Sequence, residues 1–143
     1  MNSKTILSLL PYAPPFLFAD ELLHIDDNGA TGTFTYLESL DFYKGHFKGS
    51  PITPGVILTE TMAQIGLACL GIYLLKDNAI QDIAIALTSS EIEFLKPVYP
   101  GEKVTVTSEK IYFRFNKLKC RVSMSNRAGD IVCTGTLAGM ILK

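Results

Sequence analysis

Gly45-His46-Phe47-Lys48-Gly49-Ser50-Pro51-Ile52-Thr53-Pro54-Gly55-Val56-Ile57-Leu58-Thr59-Glu60-Thr61-Met62-Ala63-Gln64 is the stretch on which the fold turns. A turn-rich loop carries a histidine, and a helix then starts cleanly. Thr53 suits the N-cap, Pro54 suits the first helical position because its missing N–H needs no partner there, and Gly55 follows. The apolar run Ile65–Leu75 continues the helix, and Lys76-Asp77-Asn78 stops it. From Pro54 to Leu75 such a helix is about 33 Å long. Apolar on almost every side, it must be buried. Val56, Glu60 and Gln64 recur at i, i+4 and i+8, so they share one face. A carboxylate on a buried helix is costly unless it is paired or used. That cost marks a site.

Working outward, residues 3–9 read as a short helix capped by Ser3 and ended by Pro11, Pro14 and Pro15. Phe16–Asp26 reads as a strand, and Asn28-Gly29 as a two-residue hairpin turn into a second strand, Ala30–Leu37. Residues 38–53 form a long loop rich in Gly and Pro, a kind that compact domains keep mainly for function. Beyond the helix the pattern predicts only strands: Ile83–Thr88, Ser90–Lys96, then a turn at Val98-Tyr99-Pro100-Gly101. Apolar residues fall on even numbers at Val104 and Val106 but on odd ones at Ile111, Phe113 and Phe115, which predicts a bulge near Ser108–Lys110. Leu118, Cys120, Val122 and Met124 alternate with Lys117, Lys119, Arg121 and Ser123 in a half-exposed strand. Ala128-Gly129-Asp130 turns into a last strand, Ile131–Leu142. One long helix among strands is an α+β pattern, with a mainly antiparallel sheet packed around the helix. Gly66, Ala68 and Gly71 let that sheet come close.

The 143 residues suit a single domain, 1–143, with one core. At 48% hydrophobic and 19% charged the composition is globular, not disordered. The 11-residue apolar run Ile65–Leu75 is short for a membrane span, and no signal peptide is visible before Pro11, so the expected setting is cytoplasmic. Cys69, Cys120 and Cys133 form no Cys-x-x-Cys and are read as reduced core residues. Net charge is only −1, but its distribution is lopsided. Up to Leu95 there are 4 Lys+Arg against 11 Asp+Glu; from Lys96 onward there are 9 against 3. The basic half is either a set of solvated strand faces or a surface for an acidic partner. Nucleic acid is not expected, since no binding motif accompanies the charge.

Gly-His-Phe-x-Gly-x-Pro-x-x-Pro-Gly-Val followed by Glu60-Thr61-Met62-Ala63-Gln64 resembles the signature of the 3-hydroxyacyl-[acyl-carrier-protein] dehydratases. The 14-residue spacing from His46 to Glu60 is similar to that family's. So are Leu10-Pro11 with Pro15-Phe16-Leu17, and Phe94-Leu95-Lys96-Pro97-Val98-Tyr99-Pro100-Gly101-Glu102, so the resemblance runs through nearly the whole chain. It implies a hotdog fold, in which a sheet wraps one long helix. It also implies a site at a dimer interface, with His46 of one chain facing Glu60 of the other, in a homodimer or an assembly of dimers. The substrate is then a 3-hydroxyacyl thioester on the phosphopantetheine of acyl carrier protein.

That reaction explains the residue types. Removing a proton from C2 requires a base near neutral pH, which imidazole provides. Expelling hydroxide from C3 requires a proton donor. By resemblance His46 is the base, and Glu60, protonated in an apolar setting, assists the hydroxyl's departure. The Gly55 N–H, in the first helical turn, can polarise the thioester carbonyl. Gln64, one turn beyond Glu60, orients it, and Val56 supports the same face. No metal, nucleotide or redox cofactor is called for. His24, on a strand between Leu23 and Ile25, reads as structural.

The chain departs from the family pattern at Lys48, where proline is usual, at Thr53, where methionine is usual, and at Tyr12-Ala13-Pro14, which replace a His-Arg-Tyr. Lys48 is expected to alter the pocket mouth. These departures point to a specialised member, serving a secondary acyl or polyene pathway in place of bulk fatty acid synthesis. Two other classes are weighed beside the dehydratase: a hotdog thioesterase, against which His46 argues, and a non-catalytic subunit that only binds acyl chains. Dehydratases that also isomerise the double bond carry Asp at the position of Glu60.

Overall fold

The computed structural model describes residues 1–76 and 83–142. Helix α1 (Ser3–Leu9) precedes a hairpin of β1 (Glu21–Asp26) and β2 (Gly29–Thr35). A 3-10 turn over Asp41–Lys44 lies in the long loop, and the central helix α2 runs over Gly55–Leu75. Strands β3 (Ala84–Phe94), β4 (Lys103–Arg114), β5 (Lys117–Ser125) and β6 (Ile131–Leu142) follow. All six strands join one antiparallel sheet in the order β1-β2-β4-β5-β6-β3. This is the expected α+β hotdog architecture.

Alternation decides which sheet face meets the helix. Val104 and Val106 of β4 and Leu118, Cys120, Val122 and Met124 of β5 are all buried, while the residues between them face outward. Helix α2 lies across this apolar face, touching every strand except β3 extensively. Its side chains from Thr61 to Ile72 are all buried. By length and composition α2 could cross a membrane, yet 72% of its most apolar window is buried inside this fold. It is a core helix. Its middle, Ala63–Ala68, is wound as a π-helix, which the sequence pattern did not announce. Gly66 in that segment faces Ser108 and Val122.

Several boundaries differ from expectation, each for a local reason. The N-cap of α1 is Asn2, not Ser3: Asn2 Oδ1 accepts the Thr5 N–H at 2.8 Å. Pro54, not Thr53, takes the N-cap position of α2, because the Pro54 carbonyl accepts the first helical N–H, from Leu58, at 3.1 Å. Strand β1 begins only at Glu21; Phe16–Asp20 is tied instead to α2 by two bonds with the Gln64 amide and to β2 by two bonds through Asp20. The first hairpin turns at Asp27-Asn28, one residue early, with Asp26 Oδ1 accepting the Asn28 and Gly29 N–H groups. Gly29 belongs to β2, where an added Cβ would lie 2.0 Å from the Ser108 carbonyl oxygen. The two strands expected over 83–96 are one strand, β3, with an irregularity between Leu87 and Ser89. The β4 bulge falls between Lys110 and Tyr112, slightly later than expected, and Phe115-Asn116 is a turn with both φ angles positive. Helix α2 ends at Leu75 with Lys76 beyond it; Asp77 and Asn78 lie outside the described residues.

Candidate active site

The amino end of α2 and the loop before it build one wall of a cleft of about 390 Å³. His46, Phe47, Thr53 and Gly55 face Phe94–Pro97 across it. Loop residues are locked from within. His46 Nδ1 lies 2.9 Å from the Ile52 carbonyl, and its ring stacks on Phe47 with centroids 3.9 Å apart. A carbonyl oxygen can only accept, so Nδ1 carries the proton, and the neutral ring keeps its lone pair on Nε2. Gly55 opens α2 with an N–H that has no acceptor among the described residues. It sits at the positive end of the helix dipole. The site also explains why this residue is glycine: an added Cβ would press on the Phe94 ring at 3.2 Å.

Glu60 lies on the other side of Phe94. With Val56, Thr59, Leu87, Ser90, Ile92 and Phe94 it lines a groove of about 450 Å³ between α2 and β3. A smaller cavity behind it, about 270 Å³, is shared by Glu60 with Tyr12, Phe16 and Leu87. Burial pushes the Glu60 carboxyl above its usual range, against the opposing pull of a hydrogen bond from Gln64. Gln64 is fully buried, and both of its amide N–H groups and its carbonyl oxygen have partners. Its Nε2 donates to Glu60 Oε2 at 3.0 Å and to the Phe16 carbonyl at 3.1 Å; its Oε1 accepts the Phe18 N–H at 2.7 Å. Val56, in contrast, is 76% exposed at the groove's rim.

One chain therefore groups the expected residues into two sets. His46 and Gly55 share the cleft; Glu60, Gln64 and Val56 share a helix face on the groove side. Among the described residues, His46 lines the cleft without Glu60, and Glu60 lines the groove and the cavity behind it without His46. Phe94 lines both spaces and divides them.

Residue-level reasoning missed Phe94 as a dividing wall and Tyr12 as a neighbour of Glu60. Burial, and then the Glu60 charge, push the Tyr12 phenol up to about 12. Only the proline-flanked position of Tyr12 in the amino-terminal segment could have flagged it. Lys48 is exposed on the turn and does not line the cleft. His24 is an exposed strand residue whose Nε2 lies 2.9 Å from Asp26 Oδ2.

Comparison with known proteins agrees with the fold and gives the class. The profile of the ApeI-like family, described as ApeI dehydratase, matches residues 23–136. The 3-hydroxyacyl-[acyl-carrier-protein] dehydratase FabZ of Herpetosiphon aurantiacus is 33% identical over 140 residues, spanning 96% of this chain and 95% of that one. Its counterpart from Rhizobium rhizogenes is 35% identical over 141 residues, covering 96% and 86%. Among solved structures, the dehydratase heterocomplex ApeI:P from Xenorhabdus doucetiae superposes with a TM-score of 0.80 at 15% identity, over 96% of this chain and 91% of that one. A thioesterase from Haemophilus influenzae gives 0.71 at 14% identity, over 100% and 92%. At such low identity these two structures speak for the fold alone. Fold and sequence relatives together define a hotdog-fold dehydratase, a lyase. The chain belongs to the ApeI-like dehydratase family.

Proposed function

We propose that the chain dehydrates 3-hydroxyacyl thioesters, carried on the phosphopantetheine of an acyl carrier protein, to trans-2-enoyl thioesters in fatty acid or related acyl and polyene biosynthesis. The observation that carries this reading is the division of the site. His46 with Gly55, and Glu60 with Gln64, are each prepared, yet Phe94 separates them within one chain. Both lie beside β3, whose outer edge pairs with no strand among the described residues. An 11-residue unpaired edge is a template for a second copy. Exposed Leu87, Phe94, Leu95 and Val56 give the same region an apolar surface. Two copies joined there form a homodimer in which His46 of one chain faces Glu60 of the other.

In that composite site the chemistry follows from the hydrogen bonds. The His46 Nε2 lone pair takes the C2 proton. Negative charge moves onto the thioester oxygen, where the Gly55 N–H and the helix dipole stabilise it. Desolvation raises the Glu60 pKa and so favours the protonated form that the donor role requires; Oε2 accepts the Gln64 N–H, which leaves Oε1 to carry the proton. That proton goes to the C3 hydroxyl, the C3–O bond breaks, and water leaves as the enoyl double bond forms. Enzyme and product end with His46 protonated and Glu60 ionised; returning that proton from one to the other resets the pair. The steps use no metal, nucleotide or redox cofactor. A cytoplasmic setting fits the three free, buried thiols, each raised to about 12 by burial.

The test is incubation with 3-hydroxyacyl thioesters of graded chain length on carrier protein. New enoyl absorbance is expected. Release of free thiol without it identifies a thioesterase, and tight binding with no turnover at any length identifies an acyl-chain carrier.

A further inference from the structure

The loop that carries His46 is closed at its base by a pair of buried hydroxyls. Tyr43 precedes His46 by three residues and Thr53 precedes Pro54, and their hydroxyls are hydrogen-bonded to each other. Tyr43 is 6% exposed and Thr53 4%. Thr53 is held a second time, its N–H donating to the Val98 carbonyl at 2.9 Å. Tyr43 is held by the 3-10 turn Asp41–Lys44, its N–H donating to the Leu40 carbonyl at 3.2 Å, and its ring packs edge-on against Phe42. Between the two anchors lie both contacts that fix the imidazole, the Ile52 carbonyl and the Phe47 ring.

The residue after Thr53 is the N-cap of α2, and the next is Gly55. One bond thus ties the 3-10 turn leading to His46 to the loop segment leading to the helix start. Thr53 does not cap the helix, as its position in the sequence led us to expect; its hydroxyl is spent on Tyr43. Burial also raises the Tyr43 phenol, so its hydroxyl stays protonated and available for the bond across the working pH range.

We propose that the Tyr43–Thr53 hydroxyl pair is a positioning clasp that sets His46 against the Gly55 N–H, so that the base and the carbonyl-polarising donor meet the same thioester. This rests on the roles assigned to His46 and Gly55 above. A clasp of this kind acts on the reacting geometry, not on affinity for the acyl chain. Small misplacements of positioned groups are expensive in rate.

The experiment is steady-state kinetics on a 3-hydroxyacyl-pantetheine thioester, with thermal unfolding of every variant. Tyr43→Phe and Thr53→Val should each lower kcat about 10-fold while KM stays within about twofold. Thr53→Ser, which keeps the hydroxyl, should recover most of what Thr53→Val loses. The double variant Tyr43→Phe/Thr53→Val separates positioning from stability. Removing both partners leaves no buried hydroxyl unpaired, so its Tm should return toward the wild-type value. Its kcat should stay as low as in either single variant. Recovery of kcat together with Tm in the double variant would overturn the clasp, as would single variants within twofold of wild-type kcat. His46→Ala is the control for the underlying reading. If it retains turnover, the assignment of the base has failed, whatever Tyr43 does.

Discussion

Gln64 donates to Glu60 Oε2 at 3.0 Å from one helical turn away, and the same amide accepts the Phe18 N–H and donates to the Phe16 carbonyl. The side chain that orients the carboxyl therefore also fastens the amino-terminal segment to the central helix. Stability and site geometry are joined in one residue.

Gln64→Leu removes all three bonds and leaves the buried Phe18 N–H without its partner, while the Phe16 carbonyl, on a half-exposed residue, loses its bond as well. A destabilisation of about 2–4 kcal/mol is expected, since a buried group stripped of its partner pays its desolvation. Urea unfolding measures it. A loss below about 1 kcal/mol would mean that water or a neighbour replaces the amide.

Burial raises the Glu60 pKa, so the folded chain holds that proton more tightly than the unfolded chain does. Stability from this group is full below the ordinary carboxylate pKa, about 4.3, and is lost as pH rises through the higher folded value. Glu60→Gln keeps the shape and has no charge to desolvate. Its Tm should exceed the wild-type Tm at pH 7, and the gap should shrink toward pH 4. A gap that stays constant over that range would contradict the direction assigned to Glu60.

Gly55→Ala places a methyl 3.2 Å from two atoms of the Phe94 ring, the wall between cleft and groove. Ring or helix start must shift by a few tenths of an ångström. A fall in kcat of roughly 10-fold is expected, with the fold intact by circular dichroism. Unchanged kcat would remove Gly55 and Phe94 from the geometry of the reaction.

An acidic carrier protein is expected to use the chain's cations. Lys117, Lys119 and Arg121 alternate on the outward face of β5, and only Arg121 is paired among the described residues, with Glu109 at 3.2 Å. Added salt should lower kcat/KM for carrier-bound substrate and leave the pantetheine thioester unaffected. Equal salt dependence on both would argue against charged docking.

Much of this was legible in the sequence because it rests on local rules. Alternation at Leu118–Met124 fixes which face of β5 is buried, and the Pro-Gly start with an apolar run fixes α2. The i, i+4, i+8 spacing put Glu60 beside Gln64, and the structure joins them by a hydrogen bond. Errors arose where a tertiary contact outbid a local preference. Thr53 is a good cap by type, but Tyr43 takes its hydroxyl. Asn28-Gly29 is a good turn by type, but Gly29 is drawn into β2 by the approach of the β4 backbone. The π-helical segment over Ala63–Ala68 has no one-dimensional signature. Nor does the placing of Phe94 between His46 and Glu60, because sequence spacing says nothing about which side of a wall a residue faces.

The central claim is that a working site needs His46 from one chain and Glu60 from another. His46→Ala and Glu60→Gln should each reduce turnover by roughly 10²–10⁴-fold, the range for positioned acid–base groups. The decisive measurement mixes the two inactive variants after subunit exchange. Half the dimers then hold one chain of each kind, and one of their two sites is intact, so activity should return to about a quarter of wild type. Activity that stays at the level of the separate variants, with exchange verified by mass spectrometry, would contradict the shared site.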